Sequence, residues 1–259
     1  MTIVKLPKKV SRLTDNISES ETTERWDTNA PVRDGELTGN GDPSYRALKN
    51  IVLESLANWE LKAGDSVLDV GAGLGYLSAD LASRGYLVDA IDPSEASIKL
   101  AQRTHATAHA GQLVFHALSL QNFALQNPQK SYDAIVANMT LHSVSDLQGF
   151  MFAAESLLKP DGIIVATIPN PRTYLQSRSD IDVSDLDLRV EHILEIEFRI
   201  RNHGPHPAKV IFHHRPIRLY SVAADNAAIP LRESRVPEHV GPGRPRDIAV
   251  LEFDRSTRF

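Results

Sequence analysis

The sequence predicts an α/β fold built on a doubly wound, mostly parallel sheet, and three observations carry that prediction. Short apolar runs alternate with stretches of helical period from Asp42 to Ile168, the pattern of βαβ units. Most of these runs are continuously apolar rather than alternating, as strands covered on both faces must be. The first run ends in a glycine-rich loop that opens directly into a helix.

Asp42-Pro43 reads as a helix start, an acid able to cap followed by the residue that suits the first helical position. Tyr45, Leu48, Val52, Leu56 and Trp59 then recur at helical spacing. After the turn at Lys62–Asp65, Ser66–Val70 is the first strand, and the helix behind the glycine loop holds Leu77, Leu81 and Ala82 until Gly85 ends it. Tyr86–Ile91 is the second strand, with a helix over Glu95–Gln102 behind it. Gln112–Ala117, Tyr132–Asn138 and Ile163–Ile168 are the next three, the last preceded by a helix from about Asp146 to Leu158.

Beyond Pro169 the pattern changes. Asp180–Glu197 holds seven acidic residues, whereas Phe198–Arg218 holds five basic residues, four histidines and no acid. Leu194, Ile196, Phe198 and Ile200 alternate with charged residues, Asn202–Pro205 is a turn, and Lys209–His213 can return as a partner strand. This predicts a β-hairpin cap inserted within residues 170–218, near the carboxyl ends of the sheet strands where open α/β folds bind ligands. A helix from about Leu219 to Ala228 and strands near Arg232–Val236 and Asp247–Phe253 resume the core. Residues 1–24, with mixed charge and many Ser and Thr, are expected as a flexible tail, and 25–259 as one domain.

Composition narrows the function. A formal net charge of −5 lacks the basic excess of a dedicated duplex-DNA binder, which favours a small-molecule partner over nucleic acid. With no cysteine there is no disulfide, no thiolate nucleophile and no thiolate-bound zinc, which fits a reducing compartment. No run approaches the roughly 18 apolar residues of a spanning helix, and the N-terminus has no apolar signal core. A cytoplasmic protein without a membrane partner is expected. His203 and His206 flank Gly204-Pro205, a turn rather than a ligand pair, so no metal site is expected.

Asp69-x-Gly71-x-Gly73-x-Gly75 stands where strand meets helix. Glycines allow a tight turn and close approach of a ligand to the backbone, while the helix offers free N–H groups. Asp92, at the end of the second strand, is placed to accept hydrogen bonds from ribose hydroxyls. A nicotinamide dinucleotide would use the same logic, but its motif is G-x-G-x-x-G, and Asp69 would crowd its pyrophosphate. A nucleoside ligand with an ammonium group and no phosphate suits this loop better.

With Val67–Gly75, Val88–Ser94, Tyr132–His142 and Leu158–Gly162 in order, the chain resembles the class I S-adenosylmethionine-dependent methyltransferases from about Trp26 to Phe253. More loosely, Trp26-Asp27 and His214-Arg215-Pro216 resemble segments of bacterial small-molecule members. The resemblance implies a seven-stranded Rossmann-like sheet with its last strand, Asp247–Phe253, antiparallel. It implies that Gly71, Ala72 and Gly73 line the methionine half of S-adenosylmethionine, with Asp69 organising that end and Gly75 also in the cofactor-binding loop. It places Asp92 on the ribose, Pro93 on the adenine, Leu118 and Ser119 at the adenine edge, and Asn138 and Met139 below the sulfonium. Many relatives carry an acid where Ser119 stands, and Arg46 is the candidate partner for the cofactor carboxylate.

Methyl transfer is an in-line displacement, so alignment is the main requirement. A base is needed only for a protonated acceptor. His142 is the candidate, and the competing role is ordering its loop and starting the following helix. His214, with His213 and Arg215, is the second candidate. The positive run Phe198–Arg218 suggests an anionic acceptor, unless Arg199 and Arg201 form a solvated strand face paired with the acidic stretch. Trp26 is a candidate lid over the acceptor, though core packing is the default for it as for Tyr45 and Tyr76. The expected activity is methyl transfer to oxygen or nitrogen of a small metabolite. The alternatives are an RNA or protein methyltransferase, a non-catalytic S-adenosylmethionine-binding protein, and a nicotinamide oxidoreductase. The sequence has no Pro-Pro-aromatic run after Asn138, where Met139-Thr140 stands instead, and this disfavours base methylation.

Overall fold

The computed structural model describes residues 8–13, 17–37, 43–105, 111–198, 208–237 and 247–255. The chain begins with β1 (Lys8–Lys9), β2 (Ser11–Arg12), α1 (Glu19–Leu37) and α2 (Pro43–Asn58). The alternating core follows as β3 (Ser66–Val70), α3 (Tyr76–Ser83), β4 (Leu87–Ile91), α4 (Glu95–His105), β5 (Leu113–His116), α5 (Leu120–Gln126) and β6 (Tyr132–Asn138). After a 3-10 turn at Leu141–Ser143 come α6 (Leu147–Leu157), β7 (Leu158–Pro169), α7 (Tyr174–Ser177) and β8 (Ile181–Asp182). The last elements are β9 (His192–Phe198), β10 (Ala208–His214), α8 (Ile217–Asn226), β11 (Leu231–Arg235) and β12 (Ile248–Asp254).

The main sheet has seven strands in the order β11-β12-β7-β6-β3-β4-β5. β12 runs antiparallel to both neighbours, and β7, β6, β3, β4 and β5 pair in parallel. This is the seven-stranded, mostly parallel sheet expected from the sequence. One face is covered by Val52, Leu56, Leu77 and Leu81 of α2 and α3, the other by Phe123, Phe150, Met151 and Tyr220 of α5, α6 and α8. Burial on both faces is why the strands read as unbroken apolar runs. Strand order reverses between β3 and β6, so the loops after these two strands diverge and open a crevice between them.

β9 and β10 pair antiparallel, with Phe198 in register with Ala208 and His192 with His214. The turn joining them, with Arg199, Arg201, His203 and His206, lies outside the described residues, as does Asp42. Two differences from the sequence reading concern the N-terminal part. Helix α1 starts at Glu19, inside the stretch expected as a tail, and β1 and β2 pair with β8 and β9. These residues are held by tertiary contacts that local composition does not encode. Val10 and Trp26 pack with Leu175, Leu194, Ile196, Val210 and Phe212 in a second small core, and Arg25 pairs with Glu195 at 2.6 Å. The short α5 was not expected either, since seven residues with only Leu120 and Phe123 buried are too few to show a helical period.

Candidate active site

The loops after β3 and β6 are laced together at the reversal point. The N–H groups of Gly71 and Ala72 both donate to the carbonyl of Ile91, at 2.8 and 3.0 Å, so the loop folds over the end of β4. The Thr140 hydroxyl donates to the carbonyl of Val70 at 3.0 Å. A Cβ on Gly71 would lie 2.3 Å from Thr140 Oγ1, and Gly71 has φ of 72°. Only glycine fits there, for space and for backbone conformation. Met139 also has positive φ, at 54°, a strained setting for a residue with a Cβ. It is held by its N–H donating to Thr167 Oγ1 at 2.9 Å, while that hydroxyl donates to Asn138 Oδ1 at 2.6 Å.

Asp92 uses both carboxylate oxygens on the main chain, accepting from Gly73 N–H at 2.9 Å and Ser94 N–H at 2.8 Å. It therefore ties the glycine loop to the start of α4 as well as facing the crevice. Burial raises its pKa, and the two N–H bonds and the charge of Arg33 oppose the rise. Asp69 is buried beneath the loop and accepts from the Ser78 hydroxyl at 2.6 Å. Burial pushes its pKa up to about 7, the Ser78 bond holds it down, and the charge of Asp92 adds to the rise.

A cavity of about 720 Å³ opens above these loops, within the ~300–1,000 Å³ common for small-molecule sites. Of the residues predicted for the site, Gly71, Asp92, Pro93, Leu118, Ser119, Asn138, Met139 and His142 line it. Asp69, Ala72, Gly73 and Gly75 form the layer around and below the loop and are not in the lining. Ser119 also caps α5, accepting from Asn122 N–H at 3.4 Å. Arg46 is exposed on α2 and outside the lining, whereas Arg33 of α1 is in it. The Arg33 guanidinium lies 5.2 Å from the centre of the Trp26 ring and within about 4 Å of a Cβ built on Gly73. Its Nε is buried without a hydrogen-bond partner. Sequence reasoning missed Arg33, because nothing local marks it. The nearest signal is Trp26-Asp27 on the same helix, where Asp27 accepts from the Ser94 hydroxyl at 2.6 Å and Ala96 N–H at 3.1 Å and so docks α1 on α4.

Trp26, His142, Val144, Phe150, Tyr174 and Arg178 also line the cavity. His142 sits in the 3-10 turn, buried, its ring 5.4 Å from that of Phe212. Burial, reinforced by the charges of Arg215 and Arg33, drives its pKa down to about 3, so the imidazole is neutral. It does not start the following helix; Asp146 caps α6. His214 is outside the lining, with Nε2 bonded to the carbonyl of Leu188 at 2.9 Å. Arg178 is engaged by Asp180 at 2.6 Å, and Lys209 by Glu195. Among the described residues no group of three His, Asp or Glu is arranged for a metal ion, and no helix is long and apolar enough to cross a membrane.

The sequence and the fold both have counterparts among known proteins. Residues 44–207 fit the family model described as "Methyltransferase domain". The demethylmenaquinone methyltransferase of Tropheryma whipplei is 34% identical over 137 residues, 49% of this chain and 55% of that protein. The ubiquinone biosynthesis O-methyltransferase of Idiomarina loihiensis is 37% identical over 101 residues, 39% and 41% of the two chains. The chain thus spans about half the length of the curated relatives it matches. In fold it is similar to the 1,6-didemethyltoxoflavin-N1-methyltransferase of Burkholderia thailandensis, with TM-score 0.61, 18% identity and coverage of 94% and 93%. It is likewise similar to the magnesium protoporphyrin IX methyltransferase of Synechocystis, with TM-score 0.63, 17% identity and coverage of 93% and 100%. The loop built from Asp69 to Gly75, pinned by Asp92 and closed by Thr140, is carried by a chain that belongs to the methyltransferase domain family.

Proposed function

We propose that this chain transfers the methyl group of S-adenosylmethionine to an oxygen or nitrogen of a small molecule held in the cavity. One observation carries the reading: the glycine loop lies between a buried acid, Asp69, and a guanidinium, Arg33, standing over Gly73. A negative site below and a positive site above suit the ammonium and carboxylate of an amino-acid end. The solved Burkholderia and Synechocystis neighbours hold S-adenosylhomocysteine, which supports the choice of ligand.

The residues would then divide as follows. Arg33 takes the carboxylate in place of Arg46, Asp69 stabilises the ammonium end, Asp92 meets the ribose, and Pro93, Leu118 and Ser119 enclose the adenine. The sulfonium of the bound cofactor supplies an activated methyl group. The protein's own contribution is alignment over the floor made by Asn138 and Met139, behind a wall that excludes water; effective molarities of about 10⁵ M or more show how much alignment provides. His142 takes part as a neutral imidazole, since its burial leaves it a poor proton acceptor. The cap assigned to residues 170–218 contributes Tyr174 and Arg178 to the acceptor end. Positive charge there does not by itself select an anion, because several of the described cations, Arg178, Arg189, Lys209 and Arg215, already hold acids. The acceptor wall is aromatic, and we place the protein in the cytoplasm.

Calorimetry checks the reading directly. Heat of binding is expected with S-adenosylhomocysteine and none with NAD; the reverse pattern would overturn it. Replacing Arg33 by alanine is expected to weaken S-adenosylhomocysteine about tenfold or more, the loss of a charge-assisted pair, while Arg46→Ala changes little. If Arg46→Ala shows the larger loss, the carboxylate assignment returns to α2.

A further inference from the structure

Behind the His142 turn lies a buried polar layer to which the proposed reaction gives no role. Arg215 is buried, at 4% exposure, and its guanidinium grips the main chain of that turn and of the residues after it. Nη1 donates to the carbonyls of Val144 at 2.7 Å and Leu141 at 3.3 Å, and Nη2 donates to that of Ser145 at 2.9 Å. Nε donates to Glu191 at 2.6 Å. Nη2 also reaches Nδ1 of His213, at 3.1 Å. A guanidinium has donors and no acceptor, so Nδ1 of His213 is the accepting nitrogen. In a neutral imidazole the proton is then on Nε2. Burial and the charge of Arg215 keep His213 neutral, with its pKa down at about 3.

Two nitrogens in this layer are buried without a hydrogen-bond partner, Nε2 of His213 and Nδ1 of His142. The first is a donor by the argument above, and the second can be an acceptor. One guanidinium joins them, since Arg215 bonds Nδ1 of His213 and also the carbonyl of Leu141, the residue before His142. Leaving both unpaired is costly, and pairing them removes both costs at once.

We propose that Arg215 and His213 are positioning residues for His142: the Nε2–H of His213 serves Nδ1 of His142, directly or through one buried water, and fixes the proton of His142 on Nε2, the edge offered to the cavity. His142 is then a hydrogen-bond donor to the methyl acceptor rather than its base. Resting on the methyl-transfer reading, this selects the acceptor class. A donor on a nitrogen nucleophile would occupy the lone pair that must attack, whereas an oxygen has lone pairs for both. Since the donor takes up no proton, the oxygen arrives already ionised. The acceptor is therefore an acidic enol, a phenol of low pKa or a carboxylate, methylated on oxygen.

The test reads the tautomer and needs no acceptor. The full chain, labelled with ¹⁵N-histidine, is studied by long-range ¹H–¹⁵N correlation both alone and with saturating S-adenosylhomocysteine, with His142→Gln to assign the ring. His142 is expected to carry its proton on Nε2. In His213→Phe, which keeps the Arg215 contacts to the main chain, the ratio of tautomers is expected to move roughly five- to tenfold toward Nδ1–H. His213→Gln, whose amide can donate in the same direction, is expected to restore it. A proton on Nδ1 of His142 in the unaltered chain overturns the proposal, and so does an unchanged tautomer in a folded His213→Phe. If His213→Phe does not fold, the unaltered chain and His213→Gln still decide. Failure of the unaltered chain to bind S-adenosylhomocysteine would count against the methyl-transfer reading alone, since the tautomer is measured without it as well.

Discussion

Replacing Asp69 by asparagine is expected to stabilise the protein at pH 8 and to weaken its ligand binding at the same time. Asp69 is fully enclosed beneath the glycine loop, and its pKa of about 7 lies far above that of an unfolded aspartate, near 4. Between those two values the folded chain holds a proton that the unfolded chain has lost, so stability falls as pH rises from about 4 to 7 and stays low above it. The maximum cost of the ionised carboxylate is about 4 kcal/mol, from a shift of roughly three units. Asparagine keeps an oxygen to accept from Ser78 and carries no charge. Melting curves of the unliganded variant are therefore expected to lie roughly 5 °C or more above the parent at pH 8 and close to it at pH 4. The same variant lacks the charge that stabilises an ammonium group, and calorimetry should show S-adenosylhomocysteine about tenfold weaker or worse. A variant that gains no stability at pH 8 would mean that Asp69 is not held above its ordinary pKa. One that binds as tightly as the parent would remove Asp69 from the ligand's ammonium end.

Gly71→Ala is expected to damage both stability and ligand binding severely. The left-handed backbone costs an alanine about 1–2 kcal/mol, and the new Cβ would overlap Thr140 Oγ1 and Cγ2 at 2.3 and 2.5 Å. Relieving that overlap means pushing the β6 loop off Val70, an overpacking cost of about 1–3 kcal/mol. Thermal unfolding should show a loss of roughly 2–5 kcal/mol, with S-adenosylhomocysteine binding largely abolished. Thr140→Ala in the same chain removes the two atoms that clash, and a double-mutant cycle should return the steric part but not the backbone part. Gly64→Ala is the control, since Gly64 has φ of 97° with nothing within 4 Å of a Cβ. It should show the backbone cost alone. If Gly71→Ala is no worse than Gly64→Ala, the loops after β3 and β6 are not packed as described.

Much of the site could be read from the chain because its chemistry and its local structure share the same residues. Asp69, the glycines and Asp92 stand at fixed intervals around one strand–loop–helix turn, so the spacing that builds the turn also places the functional groups. Arg33 was invisible for the opposite reason. It reaches the loop from α1, a helix whose position depends on Asp27 capping α4 and on Arg25 meeting Glu195. Arg46 was the natural choice by position in sequence, yet Tyr45 and Leu48 share the helix face turned to the cavity. One residue along an α-helix is a rotation of about 100°, enough to send Arg46 to solvent. A similar rule separates the histidines of β10. Strand alternation puts His213 and His214 on opposite sides, and it is His213 that bonds Arg215, whose guanidinium reaches the carbonyls of the His142 turn and the residues after it.

The chain by itself determined the doubly wound sheet, the place of the glycine loop at its reversal point and the two acids that bracket the loop. These follow from apolar period and from the backbone freedom of glycine, which act over a few residues and survive without a tertiary context. The cation that faces the loop, the neutral state of His142 and the inward use of Arg215 were decided only by tertiary structure. Burial and hydrogen bonding between distant segments set charge and proton position, and a sequence lists those segments far apart. The loop on which the prediction began is therefore half of the site, and the helix folded over it supplies the other half.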